Sequence, residues 1–166
     1  MSLKRIARFY SLRFKRLQGS PHSLALGAAI GSAVGATPTL PFHNILILAF
    51  TLGSRSNPIA GILAANVVSN PLTFGPQYFL AWKIGNFLLP GRLSWEKIKD
   101  TLYLIKHQGL TESFSTLSNM GGDTVLVMLA GGIVLAIPSG LLTYYFVYRF
   151  FLRIRARRQK KHILDN

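Results

Sequence analysis

The chain has 166 residues, of which 49% are hydrophobic and only 14% charged, against roughly 25% charged in an average soluble domain. Its 19 Lys and Arg residues outnumber 5 acids, for a formal net charge of +14. A mean hydropathy of +0.32 is nevertheless more apolar surface than a soluble domain of this length can bury. The length excludes a two-domain enzyme, and the lack of cysteine excludes a disulfide scaffold. The composition predicts a small integral membrane protein with basic ends, and argues against a nucleic-acid binder.

The ends of the chain carry most of the charge. Residues 1–19 hold six of the basic residues, and Phe9, Tyr10 and Phe14 are interleaved with them at helical spacing. This pattern predicts a basic amphipathic segment that lies in the membrane interface. Seven more basic residues follow the last apolar segment: Arg149, and six in a predicted basic tail that covers residues 151–166. By the positive-inside rule, both ends should be cytoplasmic.

Residues 20–150 form the predicted membrane domain, and its first half is broken by proline. Its apolar segments are Leu24–Ala36, Phe42–Gly53, Ile59–Val68 and Leu72–Leu89. The first segment, as a helix, reaches about 20 Å at 1.5 Å per residue, short of a hydrocarbon core of about 30 Å. We therefore predict short helices that are either re-entrant hairpins or parts of broken crossings. Gly75-Pro76-Gln77 is expected to break the fourth segment.

The breaks recur in a similar order in two neighbouring stretches. Ser20-Pro21 and Asn57-Pro58 each open a short segment, which Thr37-Pro38 and Asn70-Pro71 then end. Paired interruptions of this kind are typical of transporter-like repeats, although duplicated packing without transport gives the same pattern. In the first segment, Gly27, Gly31 and Gly35 recur every four residues and predict a small face for close helix packing.

The second half is simpler. Residues 90–123 carry four bases and four acids and are predicted to lie on the far side of the membrane. Within them, Ser94–Ile105 has an apolar face and a charged face, which predicts an interfacial amphipathic helix. Thr124–Tyr148 is free of charge over about 25 residues and predicts one C-terminal transmembrane helix. The predicted fold class is an all-α integral membrane protein.

The chemistry of the first half is neutral or cationic, because no acid occurs before Glu96. Helices that begin after proline breaks offer free N–H groups and a positive dipole end, so the pattern favours an anionic group such as a lipid phosphate. Arg55 or Lys83 would supply the counter-charge, unless they snorkel to the interface. Helix capping is the alternative role of Asn57 and Asn70. The predicted substrate-binding residues are Pro38, Pro41, His43, Asn44, Arg55, Asn57, Asn70, Pro71, Thr73, Gln77 and Lys83.

The motifs at the breaks, taken in their order along the chain, resemble those of a known family. Gly19-Ser20-Pro21, Leu26-Gly27-Ala28-Ala29-Ile30-Gly31, Thr37-Pro38, Arg55-Ser56-Asn57-Pro58 and Ser69-Asn70-Pro71-Leu72-Thr73 are similar to the bacterial membrane family catalogued as domain of unknown function 2062. The resemblance covers roughly residues 12–150. It implies a bacterial inner-membrane protein. Because similar domains are fused to glycosyltransferases that act on polyprenyl-linked sugars, it also implies an association with lipid-linked glycans and a possible membrane glycosyltransferase partner.

Two functions follow as expectations. The first is a transporter or flippase that uses helix N-termini at the proline breaks to bind an anionic lipid, with polyprenyl-phosphate-linked lipids as one candidate class. The alternative is a non-transporting scaffold or regulatory anchor for an envelope glycan or lipid biosynthetic complex. We expect no enzymatic activity, cofactor or metal, because the first half holds neither an acid nor a nucleophile–base pair. The expected partners are membrane lipids with anionic headgroups and further copies of the chain, in a multi-pass protein of the inner membrane.

Overall fold

The computed structural model of the chain describes residues 12–13, 17–39, 42–70 and 72–91, the single positions 94, 96, 99 and 103, and the helical stretch 121–164. The described residues include five helices: α1 (Pro21–Ala36), α2 (His43–Gly53), α3 (Pro58–Val68), α4 (Phe74–Leu88) and α5 (Gly121–Leu164). No strand occurs among these described residues. The all-α prediction is confirmed at this level. Most of the N-terminal segment 1–19 and of the predicted interfacial helix 94–105 lies outside the described residues.

Local sequence sets the ends of α1. The Ser20 Oγ accepts a hydrogen bond from the Ser23 N–H at 3.1 Å, and Pro21 occupies the first turn, where its missing N–H costs nothing. The helix ends at Thr37, whose extended backbone (φ −95°, ψ 137°) is the conformation that a residue before proline adopts. Asn57 and Pro58 begin α3 in the same way, with the Asn57 Oδ1 accepting from the Ala60 N–H at 2.9 Å.

Two boundaries differ from the sequence prediction. Gly75 and Pro76 do not break the fourth segment, because α4 begins at Phe74 and places them in its first turn, where proline is tolerated. The C-terminal helix does not end at Tyr148. It continues without interruption past Pro138 and through the basic tail to Leu164.

The short helix α1 forms the core of the bundle. It packs most extensively against α5 and α3, while α4 packs against α5 and α2 lies on the outside. Along α3, Gly27, Gly31 and Gly35 lie opposite Asn57, Gly61 and Ala65 in that order, so α1 and α3 run in the same direction. In the sequence, α2 connects these two helices and runs in the opposite direction. Near the end of α1, Ile47 of α2 packs with Val34 and Ala65. Beyond the end of α2, the Asn57 N–H donates to the Ser23 carbonyl near the start of α1, at 3.1 Å.

Along α5, α1 and α4 occupy consecutive stretches. Gly132 of α5 faces Thr37 and Pro38, and Phe151 packs with Leu24 at the other end of α1. Beyond this stretch, Gly131 faces the Ala81 carbonyl and Gly85 faces the Val127 carbonyl. Both α1 and α4 are therefore antiparallel to α5, and α4 begins at the level where α1 ends.

Candidate functional site at the helix breaks

The two breaks in the first half meet at the last turn of α1. The Gln77 side-chain N–H, in the first turn of α4, donates to the Gly35 carbonyl. On the other side of that turn, the Thr37 Oγ1 donates to the Ala33 carbonyl at 3.0 Å. Pro38 packs against α5, since a Cβ on Gly132 would lie 2.6 Å from the Pro38 Cδ. The α1–α2 break, the start of α4 and the middle of α5 thus form one junction.

The helices that start at this junction lack side-chain caps. No side-chain oxygen caps α2 at Phe42 or α4 at Thr73. By contrast, α1 and α3 start at the opposite end of the bundle and are capped by Ser20 and Asn57. A helix N-terminus leaves up to four backbone N–H groups without an intrahelical partner and carries about half a positive charge. At the start of α4, however, the Phe74 N–H donates to the Asn70 carbonyl at 3.1 Å and Pro76 has no N–H group. The donors that the junction can offer therefore come mainly from the start of α2.

Three neutral polar side chains accompany these donors. His43 is half-buried, and its Nδ1 lies 3.3 Å from the Thr39 Oγ1. Asn44 follows on the exposed side of α2. The Gln77 Oε1 is buried and accepts no hydrogen bond from the described part of the chain. Because a buried carbonyl oxygen without a donor costs about 1–3 kcal/mol, this oxygen is a place for a hydroxyl, an N–H or a water.

Asn70 and Thr73, predicted as ligands, hold the second break in shape. The Asn70 Oδ1 accepts from the N–H groups of Leu72 at 2.9 Å and Thr73 at 3.2 Å. Its Nδ2 donates to the Val67 carbonyl at 3.0 Å. The Thr73 Oγ1 donates to the Val68 carbonyl at 2.6 Å. These side chains form hydrogen bonds with backbone groups at the end of α3, and the Asn57 amide forms one at the start of α3. Pro41 and Pro71 lie outside the described residues.

The structure does not bring the two predicted counter-charges to the breaks. Arg55 is exposed in the α2–α3 turn with a left-handed backbone (φ 51°). Because α2 carries the chain back along α1, this turn lies about 16 Å from His43 and beside the start of α1. Lys83 lines a cleft with Phe87 and Pro90 at the far end of α4. The positive field at the junction must therefore come from helix ends.

A polar seam between α1 and α5 was absent from the sequence prediction. The buried Ser32 Oγ lies 2.7 Å from the Ser139 Oγ and accepts from the Thr143 Oγ1 at 2.8 Å. One end of the seam is continued by the His22 Nδ1, 2.8 Å from the Tyr144 hydroxyl. The available signal was the spacing of Ser139 and Thr143, four residues apart and so on one face of an otherwise apolar helix.

Among the described residues, no three His, Cys, Asp or Glu side chains come together. The chemistry that the junction offers is hydrogen bonding from backbone N–H groups, from an imidazole and from two amides.

Across the residues that the structure describes, these features define an all-helical protein with one helix that could cross a membrane. The stretch Thr124–Ala156 is long and apolar enough, and only 28% of its most apolar part is buried in the bundle, whereas the core helix of a soluble protein is mostly buried. A family model described as "Uncharacterized protein conserved in bacteria (DUF2062)" matches residues 4–160, and the chain belongs to this bacterial family. The resemblance drawn from the proline breaks is confirmed. No curated protein and no solved structure matches the chain.

Proposed function

We propose that this protein is an inner-membrane transporter or flippase for an anionic lipid. In the proposed topology, α1 and α2 form a re-entrant hairpin, α3 and α4 form one broken crossing, and α5 crosses fully. The lengths support this arrangement, because α1 has 16 residues and reaches about 24 Å, short of a core of about 30 Å. Both termini and the α2–α3 turn then face the cytoplasm.

The observation that carries the proposal is the convergence of uncapped helix N-termini on the last turn of α1. Irregular backbone at membrane depth is tolerated where protein buries it or where it lines a wet cavity. Donors at the start of α2 suit a phosphate, and no carboxylate in the first 95 residues would repel it. Discontinuous helices of transporters use their N-termini in this way.

The neutral side chains at the junction suit the remainder of a headgroup. His43 and Asn44 can donate to phosphate or sugar oxygens. The Gln77 Oε1 can only accept, so it would bind a hydroxyl and not the phosphate itself. A polyprenyl-phosphate-linked sugar offers both kinds of group, and phosphatidylglycerol is the simplest lipid that does so.

Lipid movement across vesicles tests the proposal. Protein reconstituted in liposomes should expose a fluorescent phosphatidylglycerol to an impermeant quencher beyond the outer-leaflet half. Asn44→Ala should slow this movement about twofold to tenfold, since a hydrogen bond is worth about 0.5–1.5 kcal/mol. Gln18→Ala is the matched control, because it removes an exposed amide at the opposite end of the bundle. No movement above protein-free vesicles, across several anionic lipids, would contradict the proposal.

A second candidate is a non-transporting scaffold or regulatory anchor for an envelope glycan or lipid biosynthetic complex. Its support is that the amides of Asn57 and Asn70 are occupied as caps. In addition, α1 and α3 touch backbone to backbone at Gly31 and Gly61, which resists the rearrangement that transport needs. In this case the protein would co-purify with a membrane glycosyltransferase and move no lipid.

We also propose a homo-oligomer. The outer helix α2 exposes Ile45 and Leu52 at 65% each, and the break at its start needs protein around it to satisfy its backbone in lipid. A second copy would cover this face. A purely monomeric native mass spectrum from mild detergent would contradict the oligomer.

A further inference from the structure

The start of α1 and the C-terminal part of α5 enclose a cleft that the proposed function does not use. Its volume is about 420 Å³. The floor is apolar, formed by Leu17, Leu24, Phe151 and Ile154, and the polar rim includes Ser20 and Arg155. None of the described residues that line it is acidic. An apolar floor with a cation at the rim is the complement of an anionic amphiphile.

The position of the cleft along α5 corresponds to the membrane surface. Tyr144 and Tyr148 stack on each other with ring centroids 5.7 Å apart, and Arg149 lies over the Tyr145 ring at 5.3 Å. Aromatic side chains in this arrangement, followed by a basic run, are typical of the headgroup level of a membrane. Arg155 lies about 9 Å further along the helix than Arg149, at the depth of lipid phosphates on the basic side.

From this geometry we infer a binding site for one anionic phospholipid of the cytoplasmic leaflet. Its phosphate pairs with the Arg155 guanidinium, and the upper part of an acyl chain lies on Leu24 and Phe151. The apolar floor favours a lipid over a free phosphate, and the lack of a lining carboxylate favours an anionic headgroup over a zwitterionic one. The inference goes beyond the proposed function, because it concerns binding and requires no transport.

Arg153 provides a matched control for the charge of Arg155. It is exposed two residues earlier on the same helix and does not line the cleft. Arg155→Gln and Arg153→Gln remove one positive charge each from the same basic run. A general attraction between the basic tail and anionic lipid would respond equally to both variants.

Native mass spectrometry of the full chain with added phosphatidylglycerol tests the site. Wild-type protein should retain phosphatidylglycerol more tightly than phosphatidylcholine, and the part of this binding that depends on Arg155 should amount to one lipid per subunit. Arg155→Gln should weaken this binding about tenfold, as expected for loss of a charge-assisted hydrogen bond, and Arg153→Gln should change it less than about twofold. Arg155→Lys keeps the charge but not the bidentate geometry, so its affinity should lie between those of wild type and Arg155→Gln.

Three results would overturn the inference. Equal losses in the two glutamine variants would assign the binding to the net charge of the tail. Equal retention of phosphatidylcholine would show that the headgroup charge is not recognised. Glycerol 3-phosphate that displaces the lipid at matched concentration would assign the cleft to a soluble phosphate. Because the measurement involves no flux, it stands whether or not the protein moves lipid.

Discussion

Gly31→Ala should be among the most destabilising single-methyl additions in this protein. A Cβ at this position would lie 1.9 Å from the Gly61 carbonyl oxygen and 2.5 Å from its carbonyl carbon. The neighbour is backbone, so relief requires α1 and α3 to move apart. Because α1 is also the helix against which α5 packs, the displacement spreads through the core. Overpacking of this kind typically costs about 1–3 kcal/mol or more.

The measurement is the fraction of protein that stays monodisperse in mild detergent after heating. Gly53→Ala is the control, because a Cβ at the end of α2 meets nothing within 4 Å and alanine is the better helix former. We expect a clear loss of thermal midpoint for Gly31→Ala and no loss for Gly53→Ala. If both variants have the thermal midpoint of the wild type, the result would contradict the close contact between α1 and α3.

Ser32→Val should also destabilise the fold strongly, for a different reason. Ser32 is 0% exposed and lies between Ser139 and Thr143 of α5. The valine adds apolar volume at a closely packed contact. It also removes the Ser32 hydroxyl, with which the Ser139 and Thr143 hydroxyls form hydrogen bonds. The combined expected cost is about 2–4 kcal/mol, from overpacking and from unsatisfied hydroxyls.

Thr143→Val separates the two contributions. It keeps the size of the side chain and deletes one hydroxyl, and hydrogen bonds between membrane helices average about 0.6 kcal/mol. In the same detergent, the midpoint of thermal unfolding should therefore be much lower for Ser32→Val than for Thr143→Val. A Ser32→Val protein as stable as wild type would exclude the seam between α1 and α5.

Helix positions were largely predictable because their signals are local. Ser20-Pro21 and Asn57-Pro58 each combine a capping side chain with a proline in the first turn, and the structure starts α1 and α3 there. The wrong prediction of a break at Gly75-Pro76-Gln77 also has a local cause. Pro76 breaks a helix interior but fits a first turn, and the sequence around it does not distinguish the two cases.

The arrangement of the candidate site was not predictable, because it depends on which helices pack together. Arg55 follows α2 by two residues, and only the return of α2 along α1 places it far from the breaks. The same packing brings Gln77 to the Gly35 carbonyl. Asn70 could cap or bind a ligand by its residue type alone, and its three backbone hydrogen bonds favour the cap.

In the proposed topology, α1 and α2 enter and leave the membrane on one side, while α3–α4 and α5 cross it. The structure supports one shared end for the α2–α3 turn and the C-terminal part of α5, because Ala60 and Phe151 lie in one core cluster with Leu24. Ser54, Ser94 and Ala156 are exposed, and the chain contains no cysteine. In a variant with one introduced cysteine, the maleimide can therefore label that position alone.

These three cysteine variants can be treated with a membrane-impermeant maleimide on intact spheroplasts. We expect labelling at position 94 and protection at positions 54 and 156 until the membrane is opened. Labelling at position 54 together with position 94 would place the α2–α3 turn on the far side of the membrane and contradict the re-entrant hairpin.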